Sequence, residues 1–172
     1  MVGNSDIYDM GDEIRFSMTD WIETAGSPFV IMERDYAQRY DAEKSYNTIC
    51  GVDGYAGTVE IDGHKIVVLG DEPMPVSIIR KGYETIIIRW SYAPGTNEIE
   101  SIVNNLDFGT LSEISHEMID FDSKDLVMFD AAPYLEEDSN AVKLQTLHKT
   151  VNINTYEYNS ESVALIIHKL KS

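Results

Sequence analysis

From Pro28 onward the apolar positions fall in short blocks separated by turn residues, the pattern of strands rather than long helices. Phe29-Val30-Ile31-Met32 is apolar throughout, as expected for a strand buried on both faces. Thr58-Val59-Glu60-Ile61 and His64 to Leu69 flank Asp62-Gly63, a dipeptide whose positive φ angles suit a two-residue type I′ hairpin turn. Met74 to Ile79 and Thr85 to Tyr92 form two further strands joined around Lys81-Gly82. In the second, Ile86, Ile88 and Trp90 alternate with Ile87, Arg89 and Ser91, so one face should pack more heavily. Leu126 to Phe129, Val142 to Leu147, Val151 to Tyr158 and Val163 to Leu170 complete the strand set, with a turn at Asn159-Ser160. The last strand is apolar on both faces, and so should be covered on both sides.

Helical spacing is rarer. Arg34 to Tyr46 is polar and rich in helix formers, with Tyr36, Ala37 and Tyr40 placed for one or two turns. Pro94-Gly95 ends a strand, and Thr96 or Asn97 can then cap a helix over Asn97–Leu106 carried by Ile99, Ile102, Val103 and Leu106. Strands that follow one another through short turns predict an α+β fold, mainly antiparallel sheet with a few short helices at one side. Residues 20–172 are expected to form that single domain. Residues 1–19 read as a polar arm, loosely held or disordered, which Ile7, Tyr8 and Ile14 could partly pin.

A chain of 172 residues suits one domain, since folding at this size buries roughly 70% of the unfolded surface. Its hydrophobic fraction of 43% is ordinary for a globular protein. No apolar run approaches the ~20 residues that cross a bilayer, and Val2-Gly3-Asn4-Ser5-Asp6 gives no sign of a signal peptide. The single cysteine, Cys50, cannot form an intramolecular disulfide and fits a cytoplasmic location; it is expected to pack as a small buried hydrophobe. The net charge of −17 changes the picture more. Between Ala93 and Val142 stand twelve carboxylates and one basic residue, Lys124. Such a field disfavours nucleic acid and anionic membrane and attracts basic partners, although acidic surfaces also serve solubility alone.

The chain carries no G-x-S-x-G elbow, H-E-x-x-H, Walker loop or G-x-G-x-x-G. Asp120-Phe121-Asp122 begins like an EF-hand loop, but Lys124, Asp125 and Ala131 occupy positions that need an oxygen ligand, a glycine and a bidentate glutamate. No metal or cofactor is expected. For His116, Glu117, Asp120, Asp122, Asp125 and Asp130 a solvated acidic loop or a partner-facing surface is the expected reading, with a weaker hard-cation site the remaining alternative. The histidines match no zinc spacing, which leaves them as surface or hydrogen-bonded side chains. Asp71-Glu72 could form an acid/base pair only if a bend brought both carboxylates to one face; a rigid turn is the simpler reading. Trp21 and Trp90 are expected in the core, while Tyr83, Tyr92 and Tyr134 could anchor an interface.

Four blocks stand out in order: Trp21-Ile22-Glu23-Thr24-Ala25-Gly26-Ser27-Pro28, Val52-Asp53-Gly54-Tyr55-Ala56-Gly57, Val68-Leu69-Gly70-Asp71-Glu72-Pro73-Met74-Pro75 and Arg89-Trp90-Ser91-Tyr92-Ala93. With them the chain resembles the immunity protein 21 family, predicted antidotes of bacterial polymorphic-toxin systems. Phe129-Asp130-Ala131-Ala132 and Leu165 to Leu170 are compatible with it. The resemblance implies a non-catalytic antidote that binds a cognate toxin domain in a stoichiometric complex. The acidity then suits a basic toxin such as a nuclease. Glu113, Glu117, Asp120, Asp122, Asp125, Glu136, Glu137 and Asp138 are the expected toxin contacts. Trp21, Gly26, Pro28, Asp53, Gly54, Tyr55, Gly70, Asp71, Glu72, Pro73 and Trp90 are expected to be scaffold. A small hydrolase or metal-dependent enzyme using Asp71, Glu72 or the 116–130 carboxylates is the rival reading, and a regulatory module unrelated to toxins is a third.

Overall fold

A computed structural model describes the backbone of residues 7–10 and 13–16 and the whole of 18–132 and 141–172. Strands β1 (Ile7–Met10) and β2 (Glu13–Phe16) pair as an antiparallel hairpin within the N-terminal arm; the rest of residues 1–17 lies outside the described residues. Strand β3 (Phe29–Glu33) then leads into helices α1 (Arg34–Ala37) and α2 (Ala42–Cys50). The predicted helical stretch is thus two helices, the second started by Asp41, whose side chain accepts the Lys44 amide. The chain continues through β4 (Gly57–Ile61), β5 (His64–Leu69), β6 (Val76–Lys81), β7 (Glu84–Tyr92) and α3 (Thr96–Asn104). A 3₁₀ turn at Phe108–Thr110 precedes β8 (Ser112–Asp120), β9 (Asp125–Asp130), β10 (Val142–Gln145), β11 (Thr150–Asn159) and β12 (Ala164–Lys171).

Ten of these strands make two antiparallel five-stranded sheets, ordered β10-β9-β3-β5-β4 and β6-β7-β12-β11-β8. The fold is α+β, as the pattern of apolar blocks predicts. The sheets face each other across a shared apolar layer that includes Phe29, Ile31, Val67 and Leu69 from one and Val76, Ile78, Ile87, Ile153 and Leu170 from the other. Successive side chains point to opposite faces, so the intervening residues form two outer layers. Val30, Met32, Ile66 and Val68 pack with Tyr36 of α1 and Ile49 of α2. Ile79, Ile86, Ile88, Leu165 and Ile167 pack with Ile99 and Val103 of α3. Helices therefore cover both outer faces, not one side as the sequence was read. This explains why β3, β7 and β12 are apolar on both faces.

The Asp62-Gly63 turn has φ of 54° and 81°, the geometry expected of its type I′ chemistry. Gly95 takes the N-cap position of α3, one residue before the predicted cap, and supplies no side-chain bond. Trp21 and Trp90 pack edge-to-face with centroids 5.2 Å apart on the α3 side. Two expectations fail. Cys50 is exposed, because it ends α2 on the face turned away from the sheet. Residues 112–120, for which no strand is predicted, form a nine-residue edge strand held by β11. Its sequence carries few apolar residues because only Ile119 enters the core.

Candidate functional site

The start of β3, the end of β5, the start of β6 and the end of β9 lie at one end of the sandwich, since Phe29 pairs with Leu69 and with Asp130. Val76 pairs with Arg89 of β7 and bridges to Ile22. The four sequence blocks, far apart along the chain, are thereby gathered in one place.

Two buried charges tie them together. Arg89 points between the sheets and is 1% exposed. Its guanidinium donates to the carbonyls of Tyr55 (3.1 Å), Gly70 (2.7 Å) and Glu72 (3.0 Å), with Leu69 at 3.5 Å. Burial pulls its pKa down to about 10, against the opposing pull of Asp71, so it stays charged at neutral pH. Gly70 lets the 52–57 loop lie close against it, because a Cβ there would lie 2.5 Å from the Gly54 carbonyl oxygen. Asp71 follows in the left-handed region at φ 65° and makes the bend that carries Asp71, Glu72 and Pro73 out into solvent. Burial raises the Tyr55 pKa, and the negative charge of nearby Asp71 raises it further. Behind Arg89, the neutral His168 ring faces Nη1 through Nε2 at 3.4 Å and meets Thr155 Oγ1 through Nδ1 at 2.8 Å. Arg89 can only donate, so the Nε2 lone pair faces it and Nδ1–H donates to Thr155. Full burial, reinforced by Arg89, holds the His168 pKa well below its usual value.

Asp130 is the second hub, 3% exposed. Its carboxylate accepts from Thr24 Oγ1 (2.8 Å) and from the backbone N–H of Ala25 (2.7 Å) and Ala132 (2.8 Å). This ties the Trp21–Pro28 block to the tail of β9. The two hubs hold loops of the blocks together, and at the Gly70–Pro73 bend the main-chain carbonyls of Gly70 and Glu72 accept from Arg89. Sequence reading missed both hubs. The signals were an arginine inside the apolar run of β7 and an aspartate among Phe129, Ala131 and Ala132.

The acidic residues are placed elsewhere. Glu113, Glu117 and Asp120 lie along β8, where they accept from Asn154, Thr58 and Thr150 respectively. Asp122 and Asp125 lie beyond the end of β8, in the loop and at the start of β9. Glu136, Glu137, Asp138 and Tyr134 lie outside the described residues. Among the acids on β8 stand two exposed apolar side chains, Met118 (68%) and Ile114 (42%). Ile114 is pushed out by a bulge, since Ser115 pairs with Thr155 and Glu113 with Tyr156.

At the end away from the blocks, Glu33, His64 and Asp122 place three oxygen or nitrogen atoms within 4.8 Å. The Glu33 carboxylate already has two protein partners: His64 Nδ1 meets its Oε1 at 2.9 Å, and the Asp122 backbone N–H donates to its Oε2. The Arg39 guanidinium, 3.5 Å from His64 Nε2, adds a positive charge that works against a cation there. Tyr36 stacks on the His64 ring at 4.1 Å and donates to Asp62; burial and that carboxylate push its pKa up to about 12.

The family model of immunity protein 21 matches residues 20–165, which span all four blocks and both hubs. The chain belongs to the immunity protein 21 family. Membership supports an immunity role, implies a toxin partner and favours a binding task over a catalytic one. Neither the comparison with curated proteins nor that with solved structures gave a match. Among the described residues of this family member, no helix is long and apolar enough to cross a membrane.

Proposed function

We propose that this immunity protein neutralises a basic cognate toxin domain, such as a nuclease, by forming a stoichiometric complex along the acidic β8 edge. The observation that carries this reading is Met118 and Ile114 standing exposed between Glu113, Glu117 and Asp120 on the outermost strand. Large apolar side chains left in water are the usual cores of interfaces, and surrounding charges select and steer the partner. A cytoplasmic site of action belongs to the same reading, because the exposed lone thiol of Cys50 stays reduced there.

The reading is tested with the toxin encoded beside this chain's gene. Co-expression should rescue cells, and titration calorimetry should give one immunity protein per toxin. Changing Met118→Ala and Ile114→Ala together should weaken binding by about 10- to 100-fold while leaving the melting temperature in place. Full affinity in that double variant would move the interface off β8.

A further inference from the structure

The other lateral edge of the sandwich, where β6 of one sheet meets β10 of the other, has the opposite character from β8. A cleft of about 440 Å³ opens there, lined among others by Arg34, Arg80, Lys143, Tyr83, Gln145 and Asp125. Three of the chain's 13 basic side chains thus share one cleft beside a single carboxylate, in a protein whose formal charge is −17. We propose that this cleft binds a small oxyanion, a phosphate or carboxylate group, independently of the toxin.

The sequence places these cations far apart, and the topology brings them together. Arg34 follows β3, Arg80 ends β6 before the Gly82-Tyr83 turn, and Lys143 lies on β10. Arg80 is set in place by one bond, its Nη2 donating to the Lys143 carbonyl at 2.7 Å across the gap between sheets. That contact uses one of five guanidinium N–H groups and leaves the rest of a planar fork available. Neither Arg34 nor Lys143 has a carboxylate within ion-pair distance among the described residues. Asp125 is engaged with the Gln145 amide at 3.5 Å. Clustered cations repel one another, and an oxyanion relieves that repulsion while accepting from the arginines. The hydroxyl of buried Thr85, also in the lining, offers a further donor.

Independence from the toxin follows from position. β6 and β8 are the opposite edges of one five-stranded sheet, four strand spacings or roughly 19 Å apart. A basic toxin drawn to β8 has no electrostatic reason to reach for this cleft.

The test uses the full chain without toxin. It is titrated with sodium phosphate, with sodium succinate and with sodium chloride at matched ionic strength, and the amide NMR signals of Gly82, Tyr83 and Gln145 are followed. The expected result is a saturable shift with a Kd on the order of 1 mM for phosphate, succinate or both. Saturation by only one of the two identifies the oxyanion group preferred. The Arg34→Gln/Lys143→Gln double variant changes only exposed side chains and should fold normally, with its Kd raised about tenfold or more. Arg80→Gln should do the same. Shifts that grow linearly and match those from chloride, or a Kd unchanged in the double variant, would overturn the proposal. Toxin affinity should be unaltered in the double variant.

Discussion

Arg89 shows how much one side chain determines here. A charge taken out of water is costly unless its partners are nearly ideal, and removing it leaves those partners unpaired as well. Arg89→Met keeps the stem but strands the carbonyls of Gly70 and Glu72, while the Tyr55 carbonyl keeps the Gly70 N–H at 3.0 Å. We expect a loss of about 1–3 kcal/mol for each carbonyl left unpaired in urea unfolding. Arg89→Lys should recover only part of it, because one ammonium cannot reach both loops as a guanidinium does. Equal stability of the lysine variant and the parent would show that charge alone matters. His168 makes the same region sensitive to acid. Its folded pKa lies below the unfolded value, so below pH ~6.5 the unfolded chain binds more protons. Stability should therefore be full above pH ~6.5 and fall as pH drops toward the folded pKa, by up to about 1.4 kcal/mol per unit. Denaturant midpoints from pH 7.5 to 5 should show this slope in the parent and a shallower one in His168→Gln.

At the scale of elements, legibility followed burial. Strands covered on both faces were plain in the sequence because every position is apolar, as in Val30-Ile31-Met32 and Ile86-Ile87-Ile88. The β4–β5 hairpin was plain because Asp62-Gly63 encodes its own turn. Gly63→Ala places a Cβ at φ 81° with open space around it, so backbone strain should be the whole cost, about 1–2 kcal/mol in thermal or urea unfolding. A neutral result would mean that the turn relaxes to another type. β8 stayed hidden for the complementary reason: an edge strand needs few core residues, and its bulge at Ile114 breaks the alternation that marks a strand. The second helix-covered face was hidden as well. An unbroken apolar run states that a strand is buried on both faces without saying whether helix or sheet covers it. The convergence of the four blocks needed the topology, since nothing local in Arg89 or Asp130 names the loops they hold.

At the scale of the whole molecule, the division of labour is between ends and edges. The blocks that carry the family likeness sit around buried hubs at one end, where shape is fixed by hydrogen bonds to main-chain atoms. The acids of β8 sit on an exposed edge, where a side chain can change without unsettling the core. This separation allows the electrostatics of the edge to be altered while the fold stays intact. Changing Glu113→Gln, Glu117→Gln, Asp120→Asn and Asp122→Asn together removes four charges but keeps an acceptor oxygen for Asn154, Thr58 and Thr150. Stability should therefore change little. Long-range attraction to a basic toxin acts mainly on encounter, so the loss should appear in the association rate. We expect association to slow by about tenfold at low salt, with a much smaller difference at 0.15 M, where charges are screened beyond ~8 Å. The slope of association rate against ionic strength should flatten to match. Stopped-flow mixing with the cognate toxin at several salt concentrations measures both quantities. An unchanged rate and slope would place the toxin elsewhere, with the exposed Asp71-Glu72-Pro73 bend above Arg89 the next surface to alter.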